Sequence, residues 1–274
     1  MKPNSKISAV PYIIWILVFT LIPFALVIYY AFTDNDTGRF TLDHIANSSM
    51  YLPVLIKSLC LAFVATLICL LIAYPLAYIM SRKSATVQRV FMMLIMLPMW
   101  MNFLLRTYAW MTLLEDNGVI NNILGFFGLP AMKLINTSGA VILGMVYNYL
   151  PYMILPLYTV IMKIDGRLIE AAADLGCTPR QVFSKVILPL SAPGILSGLT
   201  MVFVPAVSTF YISQKLGSTG TTLIGDVIES QFKTAYNPNL GAAMSLVLMI
   251  LIFICVSIMN RFGENEEEEV MAKV

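Results

Sequence analysis

Residues 54–80 read VLIKSLCLAFVATLICLLIAYPLAYIM, with a single charged side chain, Lys57, near the start. At 1.5 Å of helical rise per residue this stretch is long enough to cross bilayer hydrocarbon, which takes about 20 apolar residues. Its apolar groups lie on every face of a helix, so it requires lipid rather than a one-sided protein core. Working outward, the same window finds five more stretches, and the six together are about 10–32, 54–80, 90–114, 139–163, 190–213 and 241–260. Composition agrees: of 274 residues, 59% are hydrophobic and 12% charged, with a mean hydropathy of +0.82, where soluble domains carry about 25% charged residues. A soluble monomer is excluded, and the expected fold is an all-α integral membrane protein with six transmembrane helices.

Charge placement orients those spans, because loops rich in Lys and Arg stay cytoplasmic. With the N-terminus inside, the inner segments hold 11 of the 17 basic residues: Lys2, Lys6, Arg82, Lys83, Arg89, Lys163, Arg167, Arg180, Lys185, Arg261 and Lys273. The outer segments hold five, namely Arg39, Lys57, Lys133, Lys215 and Lys233, and Arg106 falls inside the third span. Both termini are therefore expected in the cytoplasm. The inner loops are then 81–89 and 164–189, and the outer ones 33–53, 115–138 and 215–240. The first apolar stretch lacks a small-residue cleavage site and exceeds a signal-peptide core, so it reads as a retained span. The membrane-spanning domain is expected over 1–263, followed by a frayed acidic cytoplasmic tail, 264–274, since runs of like charge repel.

Several function classes lose support. A net charge of +2, dispersed along the chain, points to no nucleic-acid partner, and one His with four scattered Cys provides no metal site. There is no G-x-x-x-x-G-K-[ST] phosphate loop, so the chain is not expected to hydrolyse ATP itself. All 15 acidic residues lie outside the spans. Gradient-driven carriers usually place carboxylates at bilayer depth, so proton or sodium coupling is poorly supported.

Residues 164–189, IDGRLIEAAADLGCTPRQVFSKVILP, differ from the turns around them. Asp165 is placed to cap a short Ala- and Leu-rich helix and Gly176 to end it. Thr178-Pro179 can start a second helix running through Phe183 to about Leu188 and stopping at Pro189. Leu168, Ile169, Ala172, Leu175, Val182 and Phe183 would be its exposed apolar groups. Residue chemistry alone leaves two readings open: an amphipathic hairpin covering the bundle base at the membrane surface, or a docking element for another protein.

Glu170-Ala171-Ala172, Gly176 four residues later, and Val186-Ile187-Leu188-Pro189 resemble the EAA loop in membrane subunits of bacterial ABC importers. The spacing matches through the whole loop, with Val186 where that family more often has Ile. This resemblance implies that Glu170, Ala171, Ala172, Asp174, Gly176, Phe183, Leu188 and Pro189 couple the chain to a separate ATPase. It further implies two copies of that cytoplasmic ATPase, a second homologous permease forming a heterodimer, and an extracytoplasmic binding protein. No cofactor is expected in this chain itself; ATP and Mg would be bound by the ATPase subunits. The implied location is the bacterial inner membrane.

Candidate pathway or gate residues are the polar and aromatic groups within or beside the spans. In the third span Asn102, Arg106 and Trp110 recur every four residues, on one face with Met99 and Phe103. Arg106, about 24 Å along from Val90 by helical rise, reads either as snorkelling to the outer headgroups or as lining a gate. Asn148 falls near the middle of the fourth span, where an interhelical hydrogen bond and substrate contact are both open. Gly194-x-x-x-Gly198 in the fifth is a close-packing signature. Pro205 weakens the helix before Ser208-Thr209-Phe210-Tyr211. Trp100, Gln214 and Asp226 complete the set, although a solvated loop charge is the simpler reading for Asp226.

Residues 105–110 (LRTYAW), 205–213 (PAVSTFYIS) and 223–228 (LIGDVI) resemble the first permease subunit of spermidine/putrescine importers, which implies polyamine transport. Aromatic faces of Trp100, Trp110, Phe210 and Tyr211 could hold ammonium groups through cation–π attraction. One departure is Gln214, where polyamine permeases can carry an acidic residue. Related permeases for iron, thiamine, opines or sulfate share much of the scaffold and stay open as alternatives. An ATP-independent channel or gradient-driven carrier is the rival from another class.

Overall fold

A computed structural model describes residues 10–34 and 38–272, without the side chains of Thr219 and of 262–272. Lys2, Lys6 and Lys273 lie outside the described residues, as do the side chains of the acidic tail. In chain order the helices are α1 (Val10–Ala31), α2 (Asp43–Ser81), α3 (Ala85–Trp100), α4 (Phe103–Leu114), α5 (Val119–Phe126) and α6 (Ser138–Ile161). They continue with α7 (Gly166–Asp174), α8 (Pro179–Leu190), α9 (Ala192–Val207), α10 (Tyr211–Leu216), α11 (Ile224–Lys233) and α12 (Pro238–Ala272). Among the described residues the only extended pairing is an isolated bridge between Thr33 and Phe40.

α1, α2, α6 and α12 as far as Arg261 are each long and apolar enough to cross a membrane. Two further candidates are broken: α3 meets α4–α5 at 90°, and α8 meets α9 at 61°. The continuous helix expected over 90–114 is thus replaced by two, because Asn102 leaves helical geometry and accepts a hydrogen bond from the Leu104 amide, capping α4. Met99 therefore does not share a helix face with Phe103 and Arg106. The span expected over 190–213 also ends early, at Val207, two residues after Pro205. At the other end of the chain, α12 stays helical in its backbone to Ala272, past the expected span end near residue 260.

Two wide helical turns, Leu17–Leu21 and Phe183–Ile187, each end two residues before a proline, Pro23 and Pro189. A proline ring clashes with the carbonyl four residues back and offers it no N–H; widening the preceding turn moves that carbonyl aside. Consequently Pro189 does not stop the second loop helix, which runs on to Leu190 and bends at Ser191.

By packing the described chain divides into two compact units. One takes residues up to Leu55 together with Val227–Ile252; its core sets Ala31 against Ala242, Ala243 and Leu246, and the Asn239 side-chain amide donates to the Thr33 carbonyl. The other takes Ile56–Asp226 and the chain from Phe253. Inside it, α6 and α9 approach closely because Gly194 lies against Val160 and Gly198 against Met153, as the G-x-x-x-G spacing predicts. Ala62, Ala65, Cys69, Ala73, Ala77 and Met80 form a fully buried stripe of mostly small side chains on α2.

Candidate coupling hairpin and pathway site

Each bend of the hairpin at 165–190 is closed by contacts within a few residues. The Asp165 carboxylate accepts from the Arg167 amide at 3.0 Å, capping α7. At its far end Gly176 takes φ +82°; the Gly176 N–H donates to Ala173 and the Cys177 N–H to Ala172, at 2.9 and 3.0 Å. This paired closure needs a left-handed residue, which glycine adopts without a Cβ penalty. Thr178 and Gln181 then cap α8 reciprocally: Thr178 Oγ1 accepts from the Gln181 amide and Gln181 Oε1 from the Thr178 amide.

Ala172, Val182 and Ile187 make a small buried core, flanked by Tyr78, Ile164, Ile169, Cys177 and Val186. Phe183 is half-buried and sets its ring edge-on to Tyr74 and Tyr78 of α2, at 5.6 and 5.9 Å, while the Tyr74 hydroxyl meets Ser191 Oγ at 2.8 Å. Ala172 and Val182 are therefore interior to the hairpin, contrary to their reading as exposed groups; two short helices packed face to face consume their facing side chains. What remains outward is Leu168, Leu188 and, at the tip, Leu175 with 86% of its surface exposed. Glu170, Ala171, Asp174 and Gly176 share that exposed rim, and Pro189 is half-buried.

The second constellation gathers around the break at Ser208–Phe210. Gly225 comes so near that a Cβ there would sit 2.5 Å from the Thr209 carbonyl oxygen and 2.7 Å from that of Ser208. Asp226 is only 8% exposed and fully engaged: it accepts from Ser213 Oγ at 3.0 Å and from the Leu223 amide at 2.7 Å. That overturns the solvated-loop reading of Asp226, since the segment after 215 folds back as a turn and α11 rather than as open loop. Tyr211 packs against Phe103 and Tyr108 of α4, ring centroids 6.1 Å apart in each case. The Tyr149 hydroxyl donates to the Pro205 carbonyl at 3.3 Å, from α6 to α9. Stretches 105–110, 205–213 and 223–228, far apart in sequence, thus converge on one place.

Comparison with known proteins concerns the chain as a whole. The family described as binding-protein-dependent transport system inner membrane component matches residues 71–265. This chain belongs to that family. The spermidine/putrescine transport system permease protein PotB of Haemophilus influenzae is 38% identical over 267 residues, 94% of this chain and 93% of that protein. PotB of Escherichia coli is 36% identical over 247 residues, covering 87% and 90%. Among solved structures, a bacterial ABC transporter that imports the acidic polysaccharide alginate aligns with a TM-score of 0.81 at 19% identity, covering 95% of this chain and 94% of that one. The MetNI methionine ABC transporter aligns at 0.61 and 18%, covering 78% and 95%. At such identities these likenesses establish the fold, that of a multi-pass ABC importer permease.

Within this permease the remaining candidate residues separate. Trp100 is 82% exposed at the end of α3 and belongs to no ring pair among the described residues. Trp110 packs edge-on to Tyr147, 5.4 Å between centroids. Arg106 does not snorkel: it is 8% exposed, its guanidinium carbon lies 5.9 Å from the Phe103 ring centre, and its Nε and Nη1 lack hydrogen-bond partners. The break after Trp100 places it one turn into a new helix and not at the outer end of a continuous one. Asn148 is buried and donates to the Gly144 carbonyl of its own helix, leaving Oδ1 without a partner among the described residues. Ser208 Oγ turns back to the Val204 carbonyl, and Phe210 and Gln214 stay exposed. Sequence reading missed Tyr108 and Lys215 as members of the Tyr211 cluster. Their signal was slight: Lys215 is the single cation in the stretch after the Pro205 break.

Proposed function

We propose that this chain is the membrane subunit of an ATP-driven importer of polyamines, crossing the inner membrane six times with both termini in the cytoplasm. On this reading the bent pairs α3 with α4–α5 and α8 with α9 each make one span, and an 11 to 5 division of basic residues supports the orientation. Polyamine specificity is supported by 36–38% identity to spermidine/putrescine permeases along nearly the whole chain. The observation that carries the mechanism is the hairpin at 165–190: its inner face is locked to α2 through Phe183 and Tyr74, while Leu175 projects from the tip.

A rigid element with an apolar tip transmits motion from a docked partner into the bundle. Two ATPase subunits, which bind ATP and Mg, engage this hairpin and its counterpart on a second, homologous permease. An extracytoplasmic binding protein delivers the substrate, and this chain carries no ATPase chemistry of its own. Two experiments test the reading. The ATPase co-purifies with the wild-type chain and is lost with Leu175→Glu; undiminished co-purification overturns the docking role. In nanodiscs holding the full complex, ATP hydrolysis rises with binding protein and spermidine or putrescine. Stimulation by thiamine, ferric ion, an opine or sulfate instead would replace the substrate, and uptake without ATP would remove the importer class.

A further inference from the structure

The cluster at Phe103, Tyr108 and Tyr211 already holds cations, and they are the chain's own. The Lys215 ammonium lies 5.5 Å from the Tyr108 ring centre and 5.8 Å from that of Tyr211, and Arg106 lies 5.9 Å from that of Phe103. All three distances fall within the roughly 6 Å over which a ring face attracts a cation. Lys215 makes no ion pair among the described residues; the two tyrosines meet its charge, through their rings and through the Tyr108 hydroxyl. The two cations differ in freedom. Arg106 is buried, whereas Lys215 and Tyr211 are half-buried and Tyr108 is exposed, so the tyrosine pair is not covered by the rest of this chain.

A lysine side chain is an ammonium on a flexible four-carbon stem. The aminobutyl unit of putrescine and spermidine is the same chemical group. We infer that Tyr108 and Tyr211 form a primary-alkylammonium site which Lys215 fills as a tethered stand-in, and that an incoming substrate ammonium takes its place. This rests on the polyamine reading above. It adds an internal competitor: the site stays packed when no substrate is present, and the like charge of Lys215 makes entry conditional on displacement. Lys215 sits on α10, the short helix that follows the break at Ser208–Phe210.

The test uses the full complex in nanodiscs, with lysines reductively methylated with carbon-13 so that each keeps its charge. The resonance absent from Lys215→Arg reports Lys215. It is expected upfield, shifted by the ring currents of Tyr108 and Tyr211, and it should move to the position of ordinary surface lysines as putrescine or butylammonium is added, but not with 1,4-butanediol. A resonance that starts unshifted, ignores both amines, or responds equally to the diol overturns the inference. In proteoliposomes, Lys215→Met should lower the half-saturating concentration of spermidine-loaded binding protein severalfold, and Tyr211→Leu should cancel that gain. An unchanged half-saturation, or the same gain with Tyr211→Leu, also counts against it. Failure of the wild-type complex to take up any polyamine would sink the substrate assignment, while the butylammonium titration, read without transport, still decides the alkylammonium site.

Discussion

The hairpin at 165–190 and the turn region at 208–226 both interrupt membrane-length helices, and they are held by opposite means. Asp165, Gly176, Thr178 and Gln181 close the hairpin through bonds spanning two to five residues. The turn region depends on distant partners: Asp226 bridges to Ser213, the Ile224 amide donates to Ser58 Oγ at 2.7 Å, and Tyr211 packs on α4. Local closure leaves the hairpin's outer face unused, which suits an element meant to meet another protein. Long-range closure commits the polar groups near 208–226 to one another, leaving ring faces as the accessible chemistry. Substitutions in the hairpin should therefore change coupling more than stability, and those in the turn region the reverse.

Gly176→Asp gives the largest expected effect. No atom lies within 4 Å of a Cβ at that position, so only the left-handed backbone resists the change, at about 1 kcal/mol. Membrane insertion and thermal stability should hold while ATP-driven uptake falls at least tenfold, as measured in proteoliposomes. Normal uptake by a well-expressed variant would break the contrast between the two regions. Asp226→Ala should lower the unfolding free energy by about 3 kcal/mol, because a buried carboxylate bond is lost and the Leu223 amide is left unpaired; thermal unfolding in detergent measures it. Gly225→Ala forces a methyl against the Thr209 carbonyl and should cost about 2 kcal/mol. A variant as stable as wild type would show that the approach of α11 to the break is not tight. Thr178→Ala, which removes half of an exposed capping box, should cost about 1 kcal/mol. Uptake at or above half the wild-type rate would fit a hairpin whose tip, not its cap, does the docking.

Much of this was legible because it is encoded nearby in the chain. Apolar stretches specify helices in lipid, and Asp165, Gly176 and Thr178-Pro179 mark helix ends through bonds to adjacent residues. The break at 101–102 was less legible: 90–114 is predominantly apolar, and Pro98 followed four residues later by Asn102, a favoured cap, was the available hint. Nothing near Asp226 in sequence announces its burial, since Ser213 reaches it only once the chain has turned at 217–221. Ala172 and Val182 misled for a related reason, for an apolar residue on a short helix looks the same whether it faces lipid, a partner protein or its own hairpin.

The sequence by itself determined that lipid is the solvent, which stretches are helical though not where two of them break, and where a capped hairpin interrupts them, because composition, periodicity and caps act over a few residues. Only the tertiary structure decided which polar groups are consumed and which remain available. It seated Asp226 on Ser213, left Arg106 Nε and Nη1 buried without a hydrogen-bond partner, and laid Lys215 across Tyr108 and Tyr211. Those outcomes depend on which distant backbones meet, and each polar group takes the nearest partner that packing allows.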